Sequence, residues 1–232
     1  MVAGLNLKLA GIQQNGEYAM YRPASAPIEM PVTERIAHAG ETLFLEGDPC
    51  DYVYELREGI ARGVNFMASG ERQISAFFFS GDQIGLPLGD RYRYTAEAVT
   101  ELRYVLHSRS GWNEAFLRNC RDGGQFLQSI GAEQDPIFRR GIVIGRHGLL
   151  VRICAFLMVM IDRLPSDGEN FVFPLTQSDI AAYLATTPES VCRGFRQLRE
   201  MGALATPKRD RLRILDREII ESIASGADHW GI

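Results

Sequence analysis

The 232-residue sequence has few of the side chains from which metal centres are built. Its four cysteines form no C-x-x-C pair and are far apart in the chain, at Cys50, Cys120, Cys154 and Cys192. The four histidines are equally scattered. Structural zinc sites and iron–sulfur clusters take their ligands from closely spaced thiolates and imidazoles. We therefore expect no metal site, no cofactor and free thiols at all four cysteines.

The sequence also lacks any stretch near the roughly 18 consecutive apolar residues that a membrane-spanning helix needs. Its N-terminus lacks the basic segment, apolar core and small-residue cleavage site of a secretory signal. We therefore expect a cytoplasmic protein without a membrane partner. Apolar residues make up 46% and charged residues 23%, which is typical of a folded chain, and the length favours two modest domains.

The first half of the chain changes pattern once. Residues 1–33 contain three prolines and show no sustained period, so we expect an extended arm. Over residues 34–111, short apolar segments such as ISAFFF (residues 74–79) alternate with turn signals such as Glu58-Gly59. This pattern predicts an all-β barrel or roll and, with the helices that follow, an α+β protein.

Residues 112–147 have a helical period. Five apolar or small positions, spaced by four, seven, four and three, form one stripe: Phe126, Ile130, Ile137, Gly141 and Ile144. Such a stripe fits a helix packed on its own β-roll or a subunit interface, and its length favours the interface of a homodimer. Because proline removes a helical hydrogen bond and clashes with the preceding turn, Pro136 predicts a kink or a break near Asp135.

Residues 148–232 contain two closely spaced helix starts. Thr176 is a good N-cap with Asp179 three residues later, a variant of the capping box. Thr187 is a second N-cap, and Pro188 follows it at the first helical position. Two short helices separated by a three-residue turn are typical of a helix-turn-helix.

A wing is predicted directly after these helices. Residues 203–206 and 211–214 have the pattern of two strands around a turn. The surrounding segment, residues 171–217, carries eight basic and five acidic residues, a net charge of +3 that leaves −7 for the rest of the chain. A basic module attached to an acidic body indicates local contact with the phosphates of a nucleic acid.

The second helix has one apolar and one polar face. The polar face presents four residues at i, i+3, i+4 and i+7: Glu189, Cys192, Arg193 and Arg196. Arg193 has the donors to bridge O6 and N7 of guanine, and Glu189 can accept from N4 of cytosine. The alternative is an ion pair between Glu189 and Arg193 on a solvated helix. We expect contacts to the DNA backbone from Thr176, Gln177, Ser178, Thr187, Lys208 and Arg209.

These residues resemble the CRP/FNR superfamily of bacterial transcription regulators, and the likeness extends over residues 34–214. LTQSDIA (residues 175–181) and PESVCR (residues 188–193) are similar to the family's helix-turn-helix, in which a glutamate and an arginine four residues later read the half-site. The same match places Ser190 at the DNA. Upstream, GDQIG (residues 81–85) and TAEA (residues 95–98) are similar to the β-roll of the FNR- and FixK-like branches.

The resemblance implies a cyclic-nucleotide-binding-like β-roll, a long dimerisation helix and a C-terminal winged helix-turn-helix. It also implies a homodimer on double-stranded DNA, at an inverted repeat of the TTGA…TCAA type, and activation of transcription through contact with RNA polymerase. In cyclic-AMP-binding members a Gly-Glu and an Arg-Ser pair hold the ligand. Here Leu86 follows Gly85, and Tyr94-Thr95 replaces the second pair, so we expect no cyclic AMP.

Two further departures concern the helix-turn-helix. Ala185 stands where the family's turn usually has glycine, and Cys192 stands where FNR-like members commonly have serine. Oxidation of Cys192 would add bulk and negative charge against DNA, so we consider a redox switch that weakens operator binding. The alternative is a small neutral residue tolerated in place of serine.

Two other classes of function fit the sequence less well. A small-molecule receptor would use the β-roll for its ligand and the C-terminal domain for protein contacts, but the pairing of Glu189 with Arg193 argues against it. An enzyme is disfavoured because the sequence shows no nucleophile–base pair, phosphate loop or metal spacing.

Overall fold

The computed structural model describes residues 34–86, 88–119, 124–208 and 210–226. The predicted arm, residues 1–33, lies outside this part of the chain. Twelve strands and six helices follow in the order β1 (Glu34–Ala37), β2 (Thr42–Phe44), β3 (Tyr52–Glu58), β4 (Ile60–Phe66), β5 (Arg72–Phe79), β6 (Gln83–Ile84), β7 (Thr95–Ala98), β8 (Leu102–Ser108), α1 (Arg109–Asn119), α2 (Gly124–Ile144), α3 (Leu149–Ile161), β9 (Ser166–Asp167), β10 (Asn170–Val172), α4 (Gln177–Leu184), α5 (Pro188–Glu200), β11 (Leu204–Lys208), β12 (Arg211–Ile214) and α6 (Arg217–Ser225).

The first eight strands form the predicted β-roll from two antiparallel sheets, ordered β1-β8-β3-β6 and β2-β7-β4-β5. Tyr54 and Leu56 of β3 point inward and pack with Phe78 of β5 in an apolar core. The turn between β3 and β4 requires glycine, because Gly59 has a φ of 90° and a Cβ there would lie 2.3 Å from the carbonyl oxygen of Glu101. The α+β fold class with an N-terminal β-roll is confirmed.

Helix α2 continues through Pro136, so of the two predicted effects, a kink or a break near Asp135, the break is wrong. Contacts on both sides of the proline explain this result. Glu133 accepts a hydrogen bond from the backbone N–H of Gly85 at 2.8 Å, and Ile137 packs against the core of the roll. These contacts hold the helix on the roll, and they offset the hydrogen bond that proline removes.

The C-terminal region joins four helices, α3 to α6, to a small sheet. Strands β11 and β12 pair in the antiparallel hairpin of the wing, and β10 and β9 extend the sheet. Helix α6 packs along α3, and α5 approaches α3 so closely that a Cβ at Gly194 would lie 2.3 Å from Cδ1 of Ile153. The winged helix-turn-helix is therefore present as predicted.

One apolar core connects the roll to this region. Phe77 of β5 stacks on Tyr183 of α4 with ring centroids 5.6 Å apart, and Phe156 of α3 lies 5.0 Å from the same tyrosine ring. Arg163, just after α3, reaches Asp82 of the roll at 2.7 Å. The helix-turn-helix is therefore packed directly against the sheet that contains β4 and β5.

Candidate nucleic-acid interface

The capping box predicted at the start of α4 is present. The hydroxyl oxygen of Thr176 accepts a hydrogen bond from the backbone N–H of Asp179 at 3.1 Å, and a carboxylate oxygen of Asp179 accepts from the backbone N–H of Thr176 at 3.2 Å. These bonds satisfy N–H groups that the first helical turn leaves without a partner. Thr176, Gln177 and Ser178 are exposed at this helix end.

Helix α5 is strongly amphipathic, and its two faces agree with the sequence pattern. Thr187 caps its N-terminus by accepting from the backbone N–H of Ser190 at 3.3 Å. Val191, Phe195 and Leu198 are buried against the rest of the domain. The helix is therefore held by its apolar face.

The opposite face of α5 is presented to solvent. Four exposed side chains define this face, the reading face of α5: Glu189, Cys192, Arg193 and Arg196. No ion pair joins Glu189 to Arg193, so the alternative raised from the sequence is not observed between these two described residues. The guanidinium of Arg193 instead donates to the hydroxyl of Ser190 at 3.0 Å, and that hydroxyl lies 3.1 Å from the hydroxyl of Thr187. The acid and the guanidinium therefore remain available to a partner.

The wing has three exposed cations among its described residues, Lys208, Arg211 and Arg213. Lys208 is exposed at the end of β11, and the predicted phosphate-binding residue Arg209 lies outside the described residues. Arg196, on the reading face of α5, lies 3.8 Å from Glu200 in an exposed pair. Such an exposed pair contributes little stability, so Arg196 can exchange Glu200 for a DNA phosphate at small cost in free energy.

The turn between α4 and α5 departs from what an L-residue prefers. Ala185 ends α4 with φ 52° and ψ 56°, the left-handed region, and it is the one non-glycine residue with positive φ in the described part of the chain. Its backbone N–H donates to the carbonyl of Ala181. The turn thus keeps its geometry without glycine, at the cost of placing a Cβ close to the following carbonyl.

Replacing Ala185 with glycine is expected to stabilise the protein. Relief of the left-handed alanine contributes about 1–2 kcal/mol, and the larger backbone entropy of glycine in the unfolded chain offsets about 0.5–1 kcal/mol of it. Thermal unfolding should therefore shift upward by roughly 2 °C. The matched control is Ala182→Gly, at a helical position of α4, which should lower the unfolding temperature. A lower unfolding temperature for Ala185→Gly would contradict the strain assigned to this turn.

The predicted dimerisation stripe divides between two environments. Ile137 packs against the β-roll, Gly141 is exposed, and Ile130 and Ile144 are half-buried. The side chain of Phe126 lies outside the described part. The most exposed apolar side chains of α2 are ones that the stripe omitted, Phe138 at 68% and Ile142 at 47%.

A charged network between the roll and α4 was not predicted. Arg62 and Arg72 of the roll both contact Glu97 of β7 and Asp179 of α4, at distances from 2.8 to 3.3 Å. No local sequence signal marks it, since Arg62 and Asp179 are 117 residues apart.

A cavity of about 230 Å³ lies between the roll and α2. One carboxylate oxygen of Glu133 accepts from the hydroxyl of Tyr94 at 2.6 Å and from the backbone N–H groups of Gly85 and Leu86 at 2.8 and 3.4 Å. Burial raises the pKa of Glu133, and these hydrogen bonds oppose the rise. Because this acid already uses both N–H groups, the cavity does not fit the phosphate of a cyclic nucleotide.

Two negative findings concern the described residues alone. No cluster of three or more histidine, cysteine, aspartate or glutamate side chains there is arranged to hold a metal ion. No described helix combines the length and apolar character needed to cross a membrane.

Comparisons with known proteins agree with both halves of the structure. A model of the Crp-like helix-turn-helix domain matches residues 151–223, and a model of the cyclic nucleotide-binding domain matches residues 34–119. The nitrogen fixation regulation protein FixK of Rhizobium meliloti is 27% identical over 86% of this chain and 91% of its own. The transcriptional activatory protein AadR of Rhodopseudomonas palustris is 31% identical over 80% of this chain and 78% of its own. The solved structure of FixK2 from Bradyrhizobium japonicum, 27% identical, matches with a TM-score of 0.77 and covers 84% of this chain and 98% of that one.

Proposed function

The chain belongs to the CRP/FNR superfamily and is a DNA-binding transcription regulator rather than an enzyme, and we propose that it recognises an inverted-repeat operator as a homodimer. Two identical recognition helices of such a dimer meet half-sites about one helical turn apart. Membership of this superfamily also disfavours the alternative of a receptor whose C-terminal domain serves mainly protein contacts.

The observation that carries the proposal is the polar face of α5. Glu189 and Arg193 are exposed one helical turn apart, and the opposite face of the helix is buried. A TTGA half-site offers a guanine to Arg193 and, on its complementary strand, a cytosine to Glu189. The exposed residues at the helix N-termini and on the wing, Thr176, Gln177, Ser178, Thr187 and Lys208, suit contacts to the phosphates on either side.

A gel-shift competition tests this function directly. The protein is bound to a labelled duplex carrying TTGA…TCAA and challenged with the same duplex unlabelled, with a duplex whose half-sites are scrambled, and with random DNA. We expect the scrambled and random duplexes to compete at least about 1,000-fold less well, the usual margin between specific and non-specific binding. Equal competition by all three duplexes would refute sequence-specific recognition of this operator.

Helix α2 supplies the surface proposed for the homodimer. Gly131, Phe138 and Ile142 are exposed at spacings of seven and four, as expected for a helix seam facing a second copy. Ile137 lies on the adjoining face toward the roll, so we centre the proposed interface on Phe138 and Ile142 and keep the half-buried Ile130 and Ile144 at its edges.

Activation through RNA polymerase and a cytoplasmic location extend the proposal. Relatives of this chain carry names such as transcriptional activatory protein, which supports activation rather than repression. A regulator that contacts DNA and RNA polymerase works where both are present, in the bacterial cytoplasm.

We also propose that Cys192 makes operator binding sensitive to oxidants. Cys192 is exposed on the reading face beside Arg193, whereas Cys50 and Cys154 are buried. Burial raises the pKa of Cys50 and raises that of Cys154 to about 12, so neither forms much of the reactive thiolate. Hydrogen peroxide would convert the thiol of Cys192 to a sulfenic acid with release of water, and a second equivalent would give the anionic sulfinic acid.

Peroxide treatment is expected to weaken operator binding at least about fivefold. A negative charge near phosphates costs roughly 1 kcal/mol or more at about 4 Å, even when water screens it well. The matched control is Cys192→Ser, which should bind with unchanged affinity before and after treatment. Cys120, outside the described residues, is replaced by serine in both proteins. If treated and untreated protein with Cys192 bind equally tightly, the redox proposal is wrong.

A further inference from the structure

The N-terminal end of α4 is tied to the roll by charge. One carboxylate oxygen of Asp179 lies 2.9 Å from Nη1 of Arg62 and 3.3 Å from Nη1 of Arg72. The same two arginines hold Glu97 of β7 at 2.8 and 3.0 Å. The side chain of Asp179 is 5% exposed, and that of Glu97 is 17% exposed. Two guanidinium groups therefore bridge an acid of the roll to an acid of the helix-turn-helix.

Asp179 uses its two oxygens for different tasks. The oxygen that does not face the arginines accepts from the hydroxyl of Thr176 at 2.7 Å and from its backbone N–H at 3.2 Å. The capping box of α4 and the bridge to the roll thus meet in one buried carboxylate. Any tilt of α4 away from the roll must break the hydrogen bonds to the arginines or those of the cap.

The C-terminal end of α4 is held by contacts from three other elements. Nε of Arg140, on α2, donates to the carbonyl of Tyr183 at 2.8 Å, and Nη1 of Arg152, on α3, donates to the carbonyl of Leu184 at 3.1 Å. The ring of Tyr183 stacks on Phe77 of β5. These arginines satisfy carbonyls that the last helical turn leaves open. Helix α4 is therefore fixed at both ends by residues outside the helix-turn-helix.

The docking of α4 leaves the reading face of α5 free, so the docked arrangement suits DNA binding. Eight residues of α4 span about 12 Å, and a tilt of about 15° about one end would move the other end by about 3 Å. That displacement is close to the 3.4 Å spacing of successive base pairs. A small change in how α4 docks would thus misplace α5 by one base pair.

We infer that Arg62 and Arg72 are positioning residues for DNA recognition, which fix the angle of the helix-turn-helix on the β-roll and thereby the spacing of half-sites that the dimer accepts. This inference rests on the proposed function, a dimer on an inverted repeat. Arginine suits the task because its planar fork reaches two carboxylates at once, whereas the ammonium of lysine is a single point of charge.

Two variants cut the bridge from opposite sides. Asp179→Asn leaves Arg62 and Arg72 paired with Glu97, and its amide oxygen can still accept from Thr176. The double variant Arg62→Lys/Arg72→Lys keeps the positive charge beside Glu97 and leaves α4 unaltered. The matched control is Arg103→Lys, which changes an exposed pair with Glu58 inside the roll.

The test measures binding to operators whose half-sites are moved apart or together by one base pair, and to a duplex with a single half-site. Wild-type protein and the Arg103→Lys control should lose about tenfold in affinity for each one-base-pair change. Both bridge variants should bind the operator of optimal spacing about tenfold more weakly than wild-type protein does, and their affinities for the different spacings should differ by less than about threefold. Their affinity for the single half-site should equal that of wild-type protein.

Each alternative outcome overturns one defined claim. Unchanged spacing preference in both variants would show that the arginines do not position the helix-turn-helix. An equal loss on the single half-site and on every operator would assign the arginines to folding or to direct phosphate contact instead. If wild-type protein prefers no operator over random DNA, the proposed function itself fails, and the positioning role fails with it.

Discussion

Replacing Phe138 with glutamate is expected to convert the protein from a dimer to a monomer and to weaken operator binding by about 100-fold or more. Phe138 is 68% exposed in the single chain, and Ile142 lies one turn further along the same face of α2. In the proposed dimer the new glutamate of each copy would be buried near that of the other copy. Burying two charges without partners is strongly unfavourable. A monomer engages one half-site, so it loses the gain from linked binding, about 10²–10⁴-fold.

Sedimentation velocity and gel shifts measure the two effects. The matched control is Phe66→Glu, the same substitution at a phenylalanine 56% exposed at the end of β4, which should remain dimeric and bind normally. Circular dichroism at the helical minimum should be the same in both variants, because neither side chain is in the core. If Phe138→Glu sediments as a dimer and binds as wild type does, α2 is not the interface.

Replacing Arg193 with alanine is expected to cost roughly 1–3 kcal/mol, about 5–150-fold, on the TTGA…TCAA duplex. The guanidinium is exposed and is oriented by the hydroxyl of Ser190, which Thr187 supports from the start of the helix. Its removal takes away the two donors that distinguish guanine at one position of each half-site. The variant should therefore accept other bases there, while its binding to random duplexes changes less than about threefold.

Lys208 is the matched comparison for Arg193, because it is proposed to contact phosphates rather than bases. Lys208→Ala should weaken binding by a similar factor on every duplex and lower the salt dependence of binding by about one ion. Its preference among bases should remain that of the wild type. If Arg193→Ala loses equally on specific and random DNA, Arg193 contacts the backbone and its assignment to guanine is incorrect.

The helix-turn-helix was predictable because its signals are local. Thr176 with Asp179, and Thr187 with Pro188, are caps that act over at most three residues, and the structure has both. The turns of the roll were predictable for the same reason, since Gly59 occupies a backbone conformation that excludes other residues. Such features depend little on the rest of the fold.

The features that escaped prediction depend on distant parts of the chain. Neighbouring apolar residues Ile137 and Phe138 both fit a helical stripe, and contact with the roll decides which of them faces inward. Pro136 predicted a kink or a break in α2, and the helix is not broken because the roll holds it on either side of the proline. The bridge from Arg62 to Asp179 joins strands and a helix that no sequence period relates.

The apolar core shared by the roll and the C-terminal region limits where this chain can be divided. The sequence predicts a domain boundary near residue 148, but Phe77 of the roll and Phe156 and Tyr183 of the C-terminal region share one buried cluster across it. A fragment cut at that boundary would leave these aromatic faces in water. The C-terminal region is therefore expected to aggregate when it is expressed alone. A soluble truncation must retain the strand that carries Phe77 or replace Tyr183 with a polar residue.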